Sequence, residues 1–160
     1  MPTFIYTKYR KSLMTNLVIK IAELPEEFTA IKAIRISVFH EEQGVDPALE
    51  FDGKDEISEH FIAYLDQKAV GTTRIRYLDE KTAKIERLAV LPTARGQGIG
   101  KKIMENALQI IASKNVREVV IHAQESVKAL YQKLNFVEEG EIFEEAGISH
   151  VKMRKVFYLE

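Results

Sequence analysis

The chain of 160 residues has no cysteine at all. That excludes disulfides, a thiolate nucleophile and any zinc site built on cysteine. It agrees with a reducing compartment, and a cytoplasmic location is the expectation. No apolar run approaches the ~20 residues needed to cross a bilayer, so no membrane partner is expected. Neither sign of charge dominates: 23 Lys and Arg stand against 24 Asp and Glu, a formal net charge of −1. A general electrostatic attraction to nucleic acid is therefore not expected. The four histidines are dispersed with no ligand spacing, so no metal is expected. The first sixteen residues, MPTFIYTKYRKSLMTN, lack a continuous apolar stretch ending in small residues and make a poor secretory signal. They read as a short strand, a frayed tail, or extra residues ahead of a start at Met14.

What is present has the makeup of a globular domain, with 46% hydrophobic and 29% charged residues. The length suits one domain spanning 1–160 around one core. LVIKIA (17–22) alternates as a strand does. Pro25, Glu26 and Glu27 open a helix that runs to about His40, with Phe28, Ile31, Ile34 and Val38 at helical spacing. Residues 41–59 hold eight acids and one base with Gly and Pro punctuation, and read as a loop with a helical turn. HFIAYLD (60–66) and AVGTTRIRYLD (69–79) read as strands joined by a tight turn at Gln67-Lys68, and AKIERLAVL (83–91) as a third. A helix from about Gly98 to Ser113 has Ile99, Ile103, Ala107, Ile110 and Ile111 on one face. VREVVIHA (116–123) reads as a buried strand. ESVKALYQKL (125–134) reads as a short helix with Val127, Leu130, Tyr131 and Leu134 on its apolar face. Two last strands surround an Ala-Gly turn. The order β-α-β-β-β-α-β-α-β-β predicts one mixed, largely antiparallel sheet with helices on both faces.

Three of the eight glycines fall in RGQGIG (95–100), between a strand and a helix. The first amides of a helix lack intrahelical partners and sit at its positive end, so a strand–glycine loop–helix unit is an anion site. The nucleotide P-loop needs Gly first and Ser or Thr last, where this chain has Arg95 and Lys102. The dinucleotide fingerprint needs a third glycine where Lys101 stands. The pattern R/Q-x-x-G-x-G/A is met by Arg95, Gly98 and Gly100. A bare tight turn is the alternative reading of the same six residues.

In this loop, in its element order from about residue 17 to 158 and in ALYQKLNF (129–136), the sequence resembles the GNAT superfamily of acyl-CoA-dependent N-acetyltransferases. RISVFHEEQGV (35–45), EFD (50–52), HAQ (122–124) and EEAGISHVKM (144–153) resemble its small bacterial ElaA-like branch. Asn135 replaces the family's usual glycine, and Ser126 stands where many members carry an Asn that bonds the cofactor. The resemblance implies acetyl-CoA as co-substrate. Its pyrophosphate would lie on Arg95, Gly96, Gln97, Gly98, Ile99, Gly100 and Lys101. Its pantetheine arm would lie on the backbone of Leu88, Ala89 and Val90.

Acetyl transfer to an amine needs a group that takes the amine's proton, since a free amine with a pKa of about 10.4 is mostly protonated at neutral pH. Without cysteine, a cysteine-bound acyl intermediate is excluded, and direct transfer in a ternary complex is simpler. The resemblance puts Tyr131 beside the cofactor sulfur as the acid; periodicity alone reads it as core. Glu86 is the leading base, with strand alternation turning Arg87 to the opposite face. Glu42 and His150 are further candidates, and His122 reads as packing support. The acidic 41–59 segment reads either as a solvated loop or as a wall drawing in a cationic amine. The expected acceptor is a primary amine of a small molecule or peptide, and the closing hairpin offers an edge for a homodimer. The rival functions are an acyl-homoserine-lactone-type synthase and a non-catalytic acyl-CoA sensor.

Overall fold

The computed structural model describes residues 16–157; Met14 and the segment around it lie outside the described residues. The strands are β1 (Leu17–Ile21), β2 (Glu59–Leu65), β3 (Lys68–Tyr77), β4 (Thr82–Val90), β5 (Glu118–Gln124), β6 (Val137–Glu145) and β7 (Ile148–Val156). The helices are α1 (Phe28–Arg35), α2 (Pro47–Glu50), α3 (Ile99–Ser113) and α4 (Lys128–Lys133), with α1 running on as a π-helical stretch over Ile36–Glu42. One seven-stranded sheet has the order β1-β2-β3-β4-β5-β7-β6. Every neighbouring pair is antiparallel except β4 with β5.

Local chemistry accounts for most of these elements. Asp46 caps α2, accepting from the Ala48 amide at 2.9 Å, with Pro47 at the first helical position. Asp66 and Gln67 both have positive φ, which makes the two-residue turn of the β2–β3 hairpin one position earlier than the sequence predicts. Ala146 and Gly147 do the same for β6–β7. The first helix starts at Phe28, three residues later than expected, because residues 24–27 form a turn.

Helix α3 lays Ile99, Ile103, Met104, Ala107, Leu108 and Ile111 against one face of the sheet. Ile103 and Ile111 are fully buried, worth about 1.5–3 kcal/mol each. The close approach requires a bare backbone on β3. A Cβ at Gly71 would stand 2.7 Å from Ile103 Cδ1 and 3.4 Å from the Ala89 carbonyl. This larger core also takes Tyr131, Leu134 and Phe136 from and after α4. A smaller core on α1 and its extension joins Ile34, Val38, Phe39 and Val45 to Ala89. Helices thus cover both faces, as the sequence predicts. The outermost strand β6 carries glutamates at 138, 139, 141, 144 and 145, a charged edge that opposes pairing with a second sheet.

Two irregularities position the site. The β3–β4 register shifts between Thr72 and Arg74, so Arg74 faces Glu86 while Thr72 faces Ala89. Arg87 and Leu88 therefore oppose the single residue Thr73: a bulge, with Arg87 at φ +58°. Beside it, β4 and β5 pair only from Thr82↔Glu118 to Lys84↔Val120. Beyond Lys84 the two parallel strands separate, and the sheet splits.

Candidate active site

A cleft of about 970 Å³ occupies the split. Its walls come from β4, the start of α3, β5, α4, the α1 extension and the β6–β7 turn. Strand β4 beyond Lys84 has no β5 partner, so the backbone of Leu88, Ala89 and Val90 borders this opening.

At one end stands the glycine loop. Gly98 is the N-cap of α3 at φ +76°, and no side chain caps the helix. No acidic residue occupies the first turn, leaving the positive end of a 15-residue helix without a counter-charge there. A Cβ built on Gly96 or Gly98 meets nothing within 4 Å, so side chains there would project into open space. Gly96, Gly98, Ile99, Gly100 and Lys101 line the cleft; Gln97 does not, and its amide donates to the Ala94 carbonyl at 3.4 Å. Arg95 is already engaged. It holds both oxygens of Glu42, at 2.6 and 2.5 Å, and its Nε donates to the Val90 carbonyl at 2.9 Å. That pair is exposed and worth about 0–1 kcal/mol, so an anion at the loop could take the guanidinium over at little cost. Glu42 is not in the cleft wall, and the Arg95 hydrogen bond lowers its pKa, so the structure moves it away from the proposed role of base.

Tyr131 lines the cleft from α4 and is 8% exposed, its ring edge-on to Phe136 at 6.1 Å. Its hydroxyl bonds no described residue. Burial pushes the phenol up to about 12, so it is fully protonated at neutral pH.

Toward the α1 side the cleft meets an ion network that alternation did not foresee. The bulge turns Arg87 into the same cleft as Glu86, where an unbroken strand would have sent it to the opposite face. Glu86 is gripped by Arg74, and by Arg76 at 3.0 and 2.8 Å. Burial alone would raise its pKa, but the hydrogen bonds from Arg76 and Arg74 outweigh that and hold it at about 2. A carboxylate so weakly basic, with its lone pairs committed, is a poor proton acceptor. Glu86 anchors arginines instead.

Three acids of the 41–59 segment are neutralised by the same set. Glu50 pairs with the fully buried Arg35; Asp52 takes Arg74 through both oxygens at 2.9 and 2.8 Å; Asp55 holds Arg35 at 2.6 Å and Arg74 at 3.0 Å. Arg87 fastens the end of α2 through the Glu50 carbonyl at 2.9 Å. Four carboxylates (50, 52, 55, 86) face four guanidiniums (35, 74, 76, 87), so this network balances its own charge. The acids of 41–59 that line the cleft, Glu50 and Asp52, are both paired, and the expectation of an acidic wall is corrected on that ground.

Across the split stands a cluster from three strands. His122 of β5 points Nδ1 at Glu145 Oε1, 3.2 Å away. His150 of β7, 7% exposed, donates from Nδ1 to the Ile148 carbonyl at 2.7 Å and has Nε2 3.8 Å from Glu145 Oε2. Phe143 lies edge-on to His122 and stacked on His150. With Nδ1–H committed on each ring, Nε2 carries the lone pair. The His122 hydrogen bond keeps Glu145 below its ordinary pKa despite burial, with the charge of Lys84 adding to it. His122, Glu145 and His150 all line the cleft. Among the described residues no group of three His, Asp or Glu is placed to hold a metal. No described helix is long and apolar enough to cross a membrane.

Residues 25–157 match the family described as an acetyltransferase (GNAT) domain. The chain belongs to the GNAT acetyltransferase family. It is 38% identical over 125 residues to YyaT of Bacillus subtilis, covering 76% of this chain and 84% of that protein. It is 28% identical over 131 residues to ElaA of Escherichia coli, covering 79% and 85%. The ElaA crystal structure superposes with a TM-score of 0.76 over 89% of this chain and 99% of that one, at 24% identity. An acyl-CoA N-acyltransferase structure from Pseudomonas aeruginosa reaches the same score at 28% identity, with the same coverage. This GNAT domain is thus a member of an acyl-CoA-dependent N-acyltransferase family.

In this GNAT domain the structure brings Tyr131, Glu86, His150 and the glycine loop to one cleft and leaves Glu42 and Gln97 outside it. Sequence reasoning missed Arg87 and Glu145, and took His122 for packing. The alternation of His122 and Gln124 on β5 was a usable signal, since both point to the α1 side: Gln124 bonds Gln43 at 2.9 Å. Nothing local marked Arg87.

Proposed function

We propose that this GNAT domain moves an acetyl group from acetyl-CoA to a primary amine of a small molecule or peptide, by direct transfer in a ternary complex. The supporting observation is one cleft that runs from an uncapped helix N-terminus, past a buried phenol, to a carboxylate-held imidazole. The loop suits a diphosphate: Gly96 and Gly98 leave open the space that a Cβ would fill, and the first amides of α3 are unshared. Amides of Gly98 to Lys101, with Arg95 released from Glu42, would hold it. The unpaired edge of β4 at Leu88 to Val90 would run alongside the pantetheine arm, strand against strand.

Acetyl-CoA supplies an acetyl group on a thioester. The acceptor ammonium first loses one proton to solvent, and His122 Nε2, kept in its tautomer by Glu145, takes the second proton from the amine nitrogen as the nitrogen–carbon bond forms. Tyr131 gives its phenolic proton to sulfur as the carbon–sulfur bond breaks and is reprotonated from solvent. His150 lies beside the same carboxylate, with Nε2 3.8 Å from Glu145 Oε2. No residue becomes acylated, in keeping with the absence of cysteine.

The test is a panel of amines with acetyl-CoA, following free thiol. Release of CoA that depends on the amine supports the reading. Turnover only with long-chain acyl donors and S-adenosylmethionine would favour an acyl-homoserine-lactone-type synthase. Thermal stabilisation by acetyl-CoA with no thiol release from any amine would favour a sensor.

A further inference from the structure

Resting on that reading, we infer that the acceptor carries a carboxylate as well as its amine, as an amino acid does, and that Arg87 receives the carboxylate. Arg87 holds a left-handed backbone, φ +58°, which L side chains rarely adopt outside turns and constrained sites. The bulge that imposes it brings the guanidinium to the cleft wall. Two of the three guanidinium nitrogens have structural partners. Nε and Nη2 fasten α2 through the Glu50 carbonyl at 3.3 and 2.9 Å, and Nη2 also lies 3.4 Å from Asp52 Oδ2. Nη1 donates no hydrogen bond to any described residue. Glu86 Oε2 lies 3.9 Å from it, and Glu86 is already committed to Arg74 and Arg76.

Three carboxylates lie within 4 Å of Arg87, Glu50 at 3.6 Å, Asp52 at 3.4 Å and Glu86 at 3.9 Å, but each is shared with another arginine that it contacts more closely. Burial, then the repulsion of Arg74, lowers the pKa of Arg87, and Glu86, Asp52 and Glu50 do not make up the difference. Lys84 adds a second cation to the same wall, 3.5 Å from Glu86. An anion with a planar oxygen pair satisfies such a site. The opposite wall has the complementary need. Pairing of β4 with β5 ends at Lys84↔Val120, and two residues further along lie Glu86 on one wall and His122 on the other. Lys84 on β4 still contributes to the pKa of Glu145, so the two walls sense each other at this level. An ammonium at His122–Glu145 and a carboxylate at Arg87 would span the split.

The experiment compares α-amino acids with the amines they give on decarboxylation, for example phenylalanine against phenethylamine and leucine against isoamylamine. The expected result is a kcat/KM at least about tenfold higher for each amino acid, the range of one charge-assisted hydrogen bond. Arg87→Gln should lower the amino-acid value about 10- to 100-fold more than the amine value, and Arg87→Lys should recover part of the difference. A guanidinium that only braces α2 would lower both values alike, and that result, or equal use of the two acceptor classes by the wild type, overturns the inference. A second readout needs no turnover: calorimetric binding of N-acetylphenylalanine and N-acetylphenethylamine to the CoA-loaded protein. Preference for the acid that Arg87→Gln abolishes supports the inference even if no amine releases CoA, in which case the transfer reading fails alone. Equal affinity, or binding of neither, overturns the inference.

Discussion

Replacing Tyr131 by Phe removes one oxygen and little else. The ring stays 8% exposed against Phe136, and that contact survives in phenylalanine. The hydroxyl has no partner among the described residues, so no donor or acceptor is orphaned. The stability change should stay under about 1 kcal/mol, the worth of the hydrogen bond that is not there. The chemical cost is different in kind. A positioned general acid contributes about 10²- to 10⁴-fold, equivalent to about 2.7–5.5 kcal/mol at the transition state. A phenol raised to about 12 stays protonated from about pH 6 to about pH 9, so the loss should be constant over that range. The assay is free thiol release, and because the chain has no cysteine a thiol reagent reads only CoA. Calorimetry with CoA should give unchanged affinity. Turnover within about twofold of the wild type would remove Tyr131 from the proton path.

Three further outcomes follow from the same geometry. His122→Gln should reduce kcat by about 10²-fold or more with CoA affinity intact; retention of wild-type kcat would move the base elsewhere. Gly98→Asp combines a strained φ of +76° with a carboxylate at the helix's positive end, and should weaken CoA binding by at least about tenfold in a titration, whereas unchanged affinity would put the diphosphate at another place. Glu86→Gln concerns stability. The Glu86 pKa falls from 4.5 to about 2, so its stabilising contribution of about 3 kcal/mol is complete above the unfolded value and disappears as pH drops through the folded one. The variant's unfolding free energy should therefore depend on pH less steeply between those values, by up to about 1.4 kcal/mol per pH unit in denaturant titrations. An unaltered slope would mean that Glu86 is not held as an anion by Arg74 and Arg76.

Sequence by itself determined the elements and their order. Periodicity marked α3, because an α-helix against a sheet must bury one stripe, and Ile99, Ile103, Ala107 and Ile111 are that stripe. Ala146-Gly147 marked a turn through its own backbone preferences. RGQGIG marked the loop that opens α3, because glycine's backbone freedom is a property of single residues.

Only the tertiary structure decided what the charged residues do. The acids of 41–59 read equally as a solvated loop or a negative wall, and only the fold brought Arg35, Arg74 and Arg87, distant in sequence, onto Glu50, Asp52 and Asp55. Charge is long-ranged and cancels by proximity, which a linear pattern does not carry. Arg87 faces the cleft because a register shift against β3 adds a residue, and register is a property of two strands together. His122 and Glu145 meet across 23 residues because β5 and β6 flank the same strand, β7. The glycine loop was written locally; the proposed proton path was assembled by packing.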